Sequence, residues 1–261
     1  SEKEFTVPKF LSVVPNASRK PWIVNLVFKS DALDFDVNGF YATLLDLHRL
    51  VKIKMIAKNG ALTVRIVDSN VDDTYEEHVL GFLKRLSYGD VLDTDTFSNL
   101  LEEFKKDRTG LANFIKDFRY VTSKPDIKVA YEFMVSGRKR VAMLTVIAVA
   151  LLVVSGVLTV ALPLLALMTL EAIVGSVVLL VQSIIASVAP STLFGRWKES
   201  TYKERLEWDS FRKFLLDLAQ IKRYSPEDLS MWGEWLVYGT ALGVGDKVAE
   251  AMKELKIPLV E

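Results

Sequence analysis

The sequence predicts a mainly α-helical membrane protein, in which a two-helix transmembrane hairpin lies between a winged-helix-like α+β cytoplasmic domain and a C-terminal helical domain. Three observations lead to this prediction. A long apolar stretch occupies the middle of the chain, a helix and two strand-like runs precede it, and helically spaced aromatic residues follow it. The expected domains are 1–135, 136–195 and 196–261, with the first and last packed together.

The overall composition excludes several classes of function. The 261 residues carry 33 basic and 33 acidic side chains, so no net field attracts nucleic acid or anionic lipid. Cysteine is absent, which excludes disulfides, thiolate metal sites and cysteine nucleophiles. Asparagine and glutamine, both thermolabile, number only nine together, which favours a thermophilic source.

The winged-helix prediction rests on residues 35–68. The run "FDVNGFYATLLDLHRL", together with the valine after it, places Phe40, Leu44, Leu47 and Val51 on one helical stripe. The next run, "VKIKMIAKNGALTVRIVD", alternates apolar and polar residues on both sides of an "NG" turn. A helix followed by a two-stranded hairpin is the order of elements in a winged helix.

Further helices are expected before the apolar stretch. In "DDTYEEHVLGFLKRL", an Asp/Thr cap is followed by a glutamate three residues after Thr74, which is the start of a capped helix. The run "DTDTFSNLLEEFKKD" predicts another helix, capped by Thr94 or Asp95. A last helix is expected over residues 109–135, interrupted by a "KP" break.

The apolar stretch predicts two membrane crossings. Between Val141 and Gly195 the only charged residue is Glu171. Because a bilayer core about 30 Å thick requires about 20 apolar residues of helix, this length holds two spans and a turn. Pro163 marks the turn, which places the spans at about 141–162 and 167–189.

Basic residues on both sides of the apolar stretch predict its orientation. The run "SGRKR" precedes the first span, "RWKESTYKER" follows the second, and the turn between the spans has no basic residue. Because cytoplasmic flanks carry an excess of lysine and arginine, both ends of this chain are expected in the cytoplasm. The expected location is the cell membrane, with a multi-pass topology.

The C-terminal segment predicts a packed helical domain. One helix presents Trp208 and Phe211 in "EWDSFRKFLLDL", and "SPEDL" predicts a helix start capped by Ser225. The run after it is too short and too acidic for a third span. Its aromatic residues are therefore expected in the core of the domain, which comprises Trp208, Phe211, Trp232, Trp235 and Tyr238.

The same C-terminal residues resemble a known family of membrane proteins, catalogued as domain of unknown function 2207. The resemblance is carried by "EWDSFRKFLLDL" and "SPEDLSMWGEWLVYGTALGVGDKVAEAM", and it extends to "FYATLLDLHRL" and the two-span hairpin. It implies a membrane topology without catalytic residues. Members typically carry a secretion signal, an extracellular β-rich domain and another transmembrane helix upstream, so the resemblance implies a C-terminal fragment or a trimmed paralogue.

No motif for catalysis, cofactor binding or metal binding is present in the sequence. The two histidines, His48 and His78, fall on separate predicted helices and lack the spacing of a zinc helix. The clearest polar feature is a candidate intramembrane site at Glu171 and Gln182. Glu171 is interpreted either as an interfacial or protonated glutamate, or as an ion or subunit contact.

Small residues in the spans suit the packing of helices. Gly156, Gly175 and Ser183, with Gln182, are expected to face the other helix of the hairpin or another subunit.

A second candidate site is a basic hairpin formed by Lys52, Lys54 and Lys58. The preceding helix is expected to present Asn38, Thr43, Asp46 and Arg49 outward, as a recognition helix does. Sequence-specific DNA binding requires a denser basic face, so protein contact is the preferred interpretation and nucleic acid is not an expected partner.

The function expected from the sequence is a non-enzymatic integral membrane protein, serving as a scaffold or accessory subunit of a membrane assembly. Its expected partners are membrane lipid and either other membrane-protein subunits or further copies of itself. Two alternatives stay open. One is a membrane-tethered DNA-binding regulator, and the other is a transport component that uses Glu171 and requires oligomerisation.

Overall fold

A computed structural model describes residues 5–30, 32–58, 61–188 and 195–258. Within these ranges, only the backbone is described for residues 57, 58, 61, 94–96, 101, 138, 139, 163, 166, 199, 200 and 218. Helices make up 66% of the chain, which confirms the predicted mainly α-helical class. Ser1–Glu132 and Glu199–Glu261 together form one compact unit, here called the polar unit, and Phe133–Lys198 form a second, the apolar unit.

The polar unit is built from both ends of the chain. Before the apolar unit it contains α1 (Pro21–Phe28), α2 (Val37–Arg49), β1 (Ile53–Lys58), β2 (Ala61–Ile66), α3 (Thr74–Leu86), β3 (Val91–Leu92), α4 (Thr94–Lys106), α5 (Arg108–Thr122) and a 3-10 helix (Ile127–Glu132). After the apolar unit it contains α8 (Glu199–Leu216), α9 (Leu218–Ile221), α10 (Leu229–Ala241) and α11 (Gly245–Glu254).

The apolar unit has fewer elements. It contains β4 (Met134–Val135), α6 (Arg138–Ala161), a 3-10 helix (Pro163–Leu165), α7 (Ala166–Val188) and β5 (Arg196–Trp197). Helices α6 and α7 pack against each other, and β4 pairs antiparallel with β5.

The two predicted strands of the polar unit form an antiparallel pair. Met55 of β1 lies opposite Val64 of β2, and both side chains are buried. A short third strand, β3, pairs with the other edge of β2. The predicted turn at Asn59-Gly60 lies outside the described residues.

Two predicted helix starts have different outcomes. Helix α3 has a capped start, as predicted, but the cap is Asp73, whose carboxylate accepts from the Glu76 N–H at 2.9 Å, and Thr74 is the first helical residue. The prediction that Ser225 caps the next-to-last helix is wrong, because α10 begins at Leu229 and not at Pro226. Its cap is Asp228, which accepts from Met231 N–H at 3.1 Å. The side chains of Thr94 and Asp95 lie outside the described part of the structure.

Two other predictions about local structure are also wrong. The helix expected over 109–135 ends at Thr122, because Pro125 interrupts it, and a 3-10 helix and β4 follow. Val51 does not continue the stripe of Phe40 and Leu47. It lies beyond the end of α2 with a φ of 59° and is 55% exposed.

The two segments of the polar unit share one hydrophobic core. Trp208, Trp232, Trp235, Tyr238 and Phe211 are all buried, with at most 1% of the surface of each exposed. They pack with fully buried residues of α1, and the Phe28 ring stacks on Trp208 at 5.9 Å between ring centroids. The aromatic residues of the C-terminal segment therefore belong to a core that includes the N-terminal segment.

Hydrogen bonds from these aromatic side chains also reach the N-terminal segment. The Trp235 indole donates to the Ser12 carbonyl at 2.9 Å. The Tyr238 hydroxyl donates to the carbonyls of Ala17 at 3.1 Å and Arg19 at 2.9 Å. Burial raises the pKa of Tyr238, so its hydroxyl remains a donor.

Asn25 joins three elements at the centre of this core. Its side-chain amide donates to Asp36 at 2.8 Å and to the Ala241 carbonyl at 2.9 Å, and its oxygen accepts from Asp36 N–H at 3.0 Å. Asp36 in turn caps α2 by accepting from Asn38 N–H. Burial favours the neutral carboxyl, but hydrogen bonds from Lys29 and Asn25 outweigh it and lower the pKa of Asp36.

Replacing Asn25 with alanine is expected to destabilise the polar unit by about 2–3 kcal/mol, because the buried Ala241 carbonyl and the partly buried Asp36 N–H lose their partner. Thermal unfolding of the full chain in detergent, followed by tryptophan fluorescence, measures this change. Asn113→Ala is the matched control, since Asn113 is exposed on α5 and its loss is expected to change stability by less than about 0.5 kcal/mol. Equal melting temperatures for the two variants would contradict the role of Asn25.

Gly245→Ala is expected to destabilise the junction of α10 and α11 by about 1–3 kcal/mol. A Cβ at Gly245 would lie 2.8 Å from the Thr240 Cα, and backbone atoms have no room to move. Gly81→Ala in α3 is the control, because its nearest neighbour would be the Arg85 side chain at 3.8 Å and alanine is favoured in a helix by up to about 1 kcal/mol. The same unfolding measurement should show a lower melting temperature for Gly245→Ala and an equal or higher one for Gly81→Ala. A loss of stability in both variants would contradict the steric role of Gly245.

Candidate functional site

Helices α6 and α7 meet through small and hydroxyl-bearing side chains. On α6, Ala148 and Ser155 are buried, and on α7 the buried residues are Thr169, Ser176 and Ser183. The residues on each helix are seven apart, a spacing that keeps them on one side. Small side chains allow two helix backbones to approach closely.

The hydroxyl groups at this contact are satisfied within their own helices. Ser155 donates to the Leu151 carbonyl at 2.6 Å, and Ser176 donates to the Ala172 carbonyl at 2.7 Å. No hydrogen bond between the helices is therefore needed to bury these polar groups, and their small size is what the packing uses.

The apolar side chains of both helices point away from this contact. Val160 and Val188, for example, are each 83% exposed. Two segments, Arg140–Ala161 and Leu167–Val188, are long and apolar enough to cross a membrane, and little of either is buried within the structure. This arrangement is the reverse of a soluble helix, which turns its apolar side inward.

The structure places Glu171 and Gln182 on the same side of α7. They are eleven residues apart, or about three turns and about 16 Å along the axis, and both are exposed. Neither has a hydrogen-bond or ion-pair partner in the described part of the chain. The structure therefore aligns the two predicted site residues without bringing them into contact.

This side of α7 lies away from the contact with α6, and Gln182, which directly precedes Ser183, is about 100° around the helix from it. Glu171 follows Thr169 by two residues, as Val178 follows Ser176, and two residues rotate a helix by about 200°. Gly175 lies between Glu171 and Val178 with open space where a Cβ would be. We call Glu171, Gly175, Val178 and Gln182 the outer α7 face.

The small residues predicted for helix packing are divided between two environments. Ser183 lies at the contact with α6. Gly156 and Gly175 both have open space around the Cβ position, so neither is where α6 and α7 approach closely.

At least one positive charge of the predicted basic hairpin is paired with a carboxylate in the structure. Lys52 pairs with Asp68 at 2.5 Å, so its charge is compensated. Lys54 is exposed and lies directly opposite Arg65 across the β1–β2 pair. The side chain of Lys58 lies outside the described residues.

The outward placement predicted for the recognition helix is wrong at two positions. Thr43 is fully buried and Asp46 is 5% exposed, because α2 packs against α1, α5 and α10. Asp46 accepts hydrogen bonds from Arg49 at 2.8 and 3.0 Å. Asn38 is held by Asp36. The residues that would read DNA are thus engaged within the fold.

The two histidines serve separate local contacts. The His48 ring nitrogen lies 3.3 Å from both the Ile53 carbonyl and the Met55 N–H, which ties α2 to β1. His78 lies 2.6 Å from the Thr74 carbonyl within α3. Among the described residues, no group of three or more acidic or histidine side chains is placed to hold a metal ion.

Sequence reasoning missed a buried ion pair between α1 and α3. The Glu76 side chain is 2% exposed and accepts from the Lys20 ammonium at 2.9 Å. Its other oxygen has no hydrogen-bond partner among the described residues. Burial raises the pKa of Glu76, although Lys20 opposes the shift. The capping pattern in the sequence drew attention to Glu77, three residues after Thr74, and gave no signal for the burial of Glu76.

Ala148→Leu is expected to disturb the packing of α6 on α7, because Ala148 is fully buried at the contact and overpacking costs about 1–3 kcal/mol. Ala150→Leu is the matched control, since Ala150 is exposed two residues further along the same helix. Thermal unfolding of both variants in detergent should show a lower melting temperature for Ala148→Leu only. An equal or larger loss for Ala150→Leu would place the contact on the other side of α6.

Comparisons with known proteins cover both units of the chain. The model of the family described as "Predicted membrane protein (DUF2207) C-terminal domain" matches residues 7–252. A search of curated proteins and a search of solved structures each gave no match. The match extends from the N-terminal segment of the polar unit, through α6 and α7, to α11. The chain therefore belongs to the DUF2207 C-terminal domain family of predicted membrane proteins.

Proposed function

We propose that this protein is a non-enzymatic integral membrane protein that serves as a scaffold or accessory subunit of a membrane assembly. The outer α7 face is its contact with another transmembrane helix. The observation that carries the proposal is the position of Glu171 and Gln182, which are both exposed on α7, away from its contact with α6.

Polar side chains are costly to place in the apolar core of a bilayer. A carboxylate at the centre of a membrane helix costs about 2.5–3.5 kcal/mol on insertion scales, with less near the interface. Glu171 has no partner in the described part of the chain that would offset this cost. A neighbouring helix that donates hydrogen bonds to Glu171 and Gln182 would offset it, and Gly175 leaves space for a close approach.

The polar unit supports a double crossing. Its two segments share one core, which supports placing both on the same side of a membrane with an even number of crossings between them. Helices α6 and α7 supply two. The pairing of Val135 with Arg196 also joins the two ends of the apolar stretch.

The distribution of basic residues supports a cytoplasmic side for both polar segments. Arg138, Lys139 and Arg140 begin α6, whereas Arg196 and Lys198 follow α7. Residues 162–166, which connect the helices, contain no basic residue. By the positive-inside rule, both ends face the cytoplasm, and the protein spans the cell membrane twice.

The polar unit is proposed to be a winged-helix-like domain that contacts protein. The order of α2, β1 and β2 fits this architecture. Thr43 and Asp46 are buried and Lys52 is paired with Asp68, so these side chains are not available to contact DNA. The transport alternative requires several copies, because two helices do not enclose a pathway.

The test is recovery of partners with the full chain extracted gently from native membranes. Mass spectrometry should identify a fixed set of membrane proteins, or further copies of this chain, that survive a high-salt wash. Glu171→Leu combined with Gln182→Leu is expected to reduce that recovery about tenfold, corresponding to about 1.4 kcal/mol of lost contact.

Ser187→Leu is the control, because it makes the same change of a polar residue to leucine at an exposed α7 position outside the outer α7 face. It should leave the recovery of partners unchanged. Undiminished recovery with the Glu171 and Gln182 double variant, or an equal loss with the control, would contradict the proposed contact.

A further inference from the structure

We propose that a small arginine-lined cavity in the apolar unit binds the phosphate group of an anionic phospholipid. The cavity has a volume of about 100 Å³ and is lined by Val135, Ser136, Arg140, Gly195 and Arg196. About 10–15 Å³ on this measure is enough for one water molecule, so there is space for a group of several heavy atoms. This inference rests on the membrane placement in the proposed function.

Strand pairing brings the two arginines together. They are separated by more than fifty residues, including both apolar helices, yet β4 pairs with β5 so that Val135 lies opposite Arg196. The Lys198 N–H also donates to the Phe133 carbonyl at 3.0 Å. Arg140 reaches the same cavity from the first turn of α6. The site is therefore formed by the two chain segments that flank the apolar helices, one before α6 and one after α7.

The charges at this cavity are uncompensated within the apolar unit. Arg140 and Arg196 are both exposed, and neither has an ion-pair partner among the described residues. The single acidic residue of Phe133–Lys198 is Glu171, which lies about 25 Å from the end of α7 that leads to Arg196. Two neighbouring positive charges without an ion-pair partner among the described residues favour the binding of an anion.

The chemistry of the lining favours phosphate in particular. A guanidinium presents a planar fork of N–H donors that matches two phosphate oxygens, and such charge-assisted pairs are strong. The cavity also lies at the N-terminus of α6, where Gly137 provides no side-chain cap. The positive end of the helix dipole adds to the attraction for an anion.

The position of the cavity identifies the phosphate as that of a lipid. Arg140 is the first residue of the Arg140–Ala161 segment, which is apolar enough to cross a membrane. The phosphate layer of a bilayer lies where such a segment begins. Basic pockets beside membrane helices on the cytoplasmic side bind anionic headgroups in this way.

Native mass spectrometry of the full chain in detergent, with equal phosphatidylglycerol and phosphatidylcholine, tests the proposal. The wild type is expected to retain phosphatidylglycerol at least tenfold more than phosphatidylcholine. Arg140→Gln combined with Arg196→Gln should lower the retained phosphatidylglycerol about tenfold or more. Arg108→Gln combined with Lys116→Gln removes the same charge from exposed positions of α5 and should retain the lipid.

Three results would overturn the proposal. An equal loss in the α5 control would show general attraction between charges and no site. Inorganic phosphate that binds the wild type equally well and abolishes the lipid preference would identify a free-anion site. An Arg140→Lys and Arg196→Lys variant that binds as tightly as the wild type would contradict recognition by guanidinium groups.

The failure of this inference is distinguishable from that of the proposed function. Membrane fractionation of the same variants reports insertion, and partner recovery reports the outer α7 face. A wild-type chain that inserts and keeps its partners without any lipid preference contradicts the cavity alone. A chain that does not insert contradicts the membrane placement itself.

Discussion

The N-terminal segment packs against α10 through buried hydrogen bonds that tie the two ends of the chain together. Trp235 and Tyr238 donate hydrogen bonds to carbonyls before α1, and Asn25 joins α1 to the cap of α2 and the end of α10. These groups are buried, so separating the segments would leave backbone and side-chain polar atoms unsatisfied. The apolar stretch must therefore leave the polar unit and return to it.

The two units use polar side chains in opposite ways. In the polar unit, polar side chains such as Asn25 link elements across an aromatic core. In the apolar unit, hydroxyl groups such as that of Ser176 bond only to their own helix and allow close packing, while apolar side chains face outward. In the described part of the apolar unit, exposed polar side chains without an internal partner carry the two proposed contacts, the outer α7 face for a helix and the arginine cavity for a lipid phosphate.

Local signals in the sequence predicted several features of the fold. The features that were not predicted depend on contacts between residues far apart in the chain. The apolar run and the cap at Asp73 were readable because each depends on neighbouring residues. The pairing of Lys52 with Asp68 joins residues sixteen apart, and the burial of Thr43 results from helices elsewhere in the chain. Strands β4 and β5 are two residues each, too short for a periodic pattern, so the arginine cavity had no signal beyond its basic flanks. Glu171 and Gln182 were identified by their polarity in an apolar run. Their common position away from α6 could be known only once the structure showed which residues of α7 contact α6.

The accessibility of single cysteines in sealed membrane vesicles tests most directly whether both segments of the polar unit lie on the same side of the membrane. The chain has no native cysteine, so only the introduced cysteine is labelled. Asn113→Cys, Lys253→Cys and Leu164→Cys would be labelled with a membrane-impermeant maleimide, since all three positions are exposed. With two crossings between the segments of the polar unit, Asn113 and Lys253 react from the same side and Leu164 from the other. Labelling of Asn113 and Lys253 from opposite sides would contradict this placement, because a single packed core cannot be divided by a membrane.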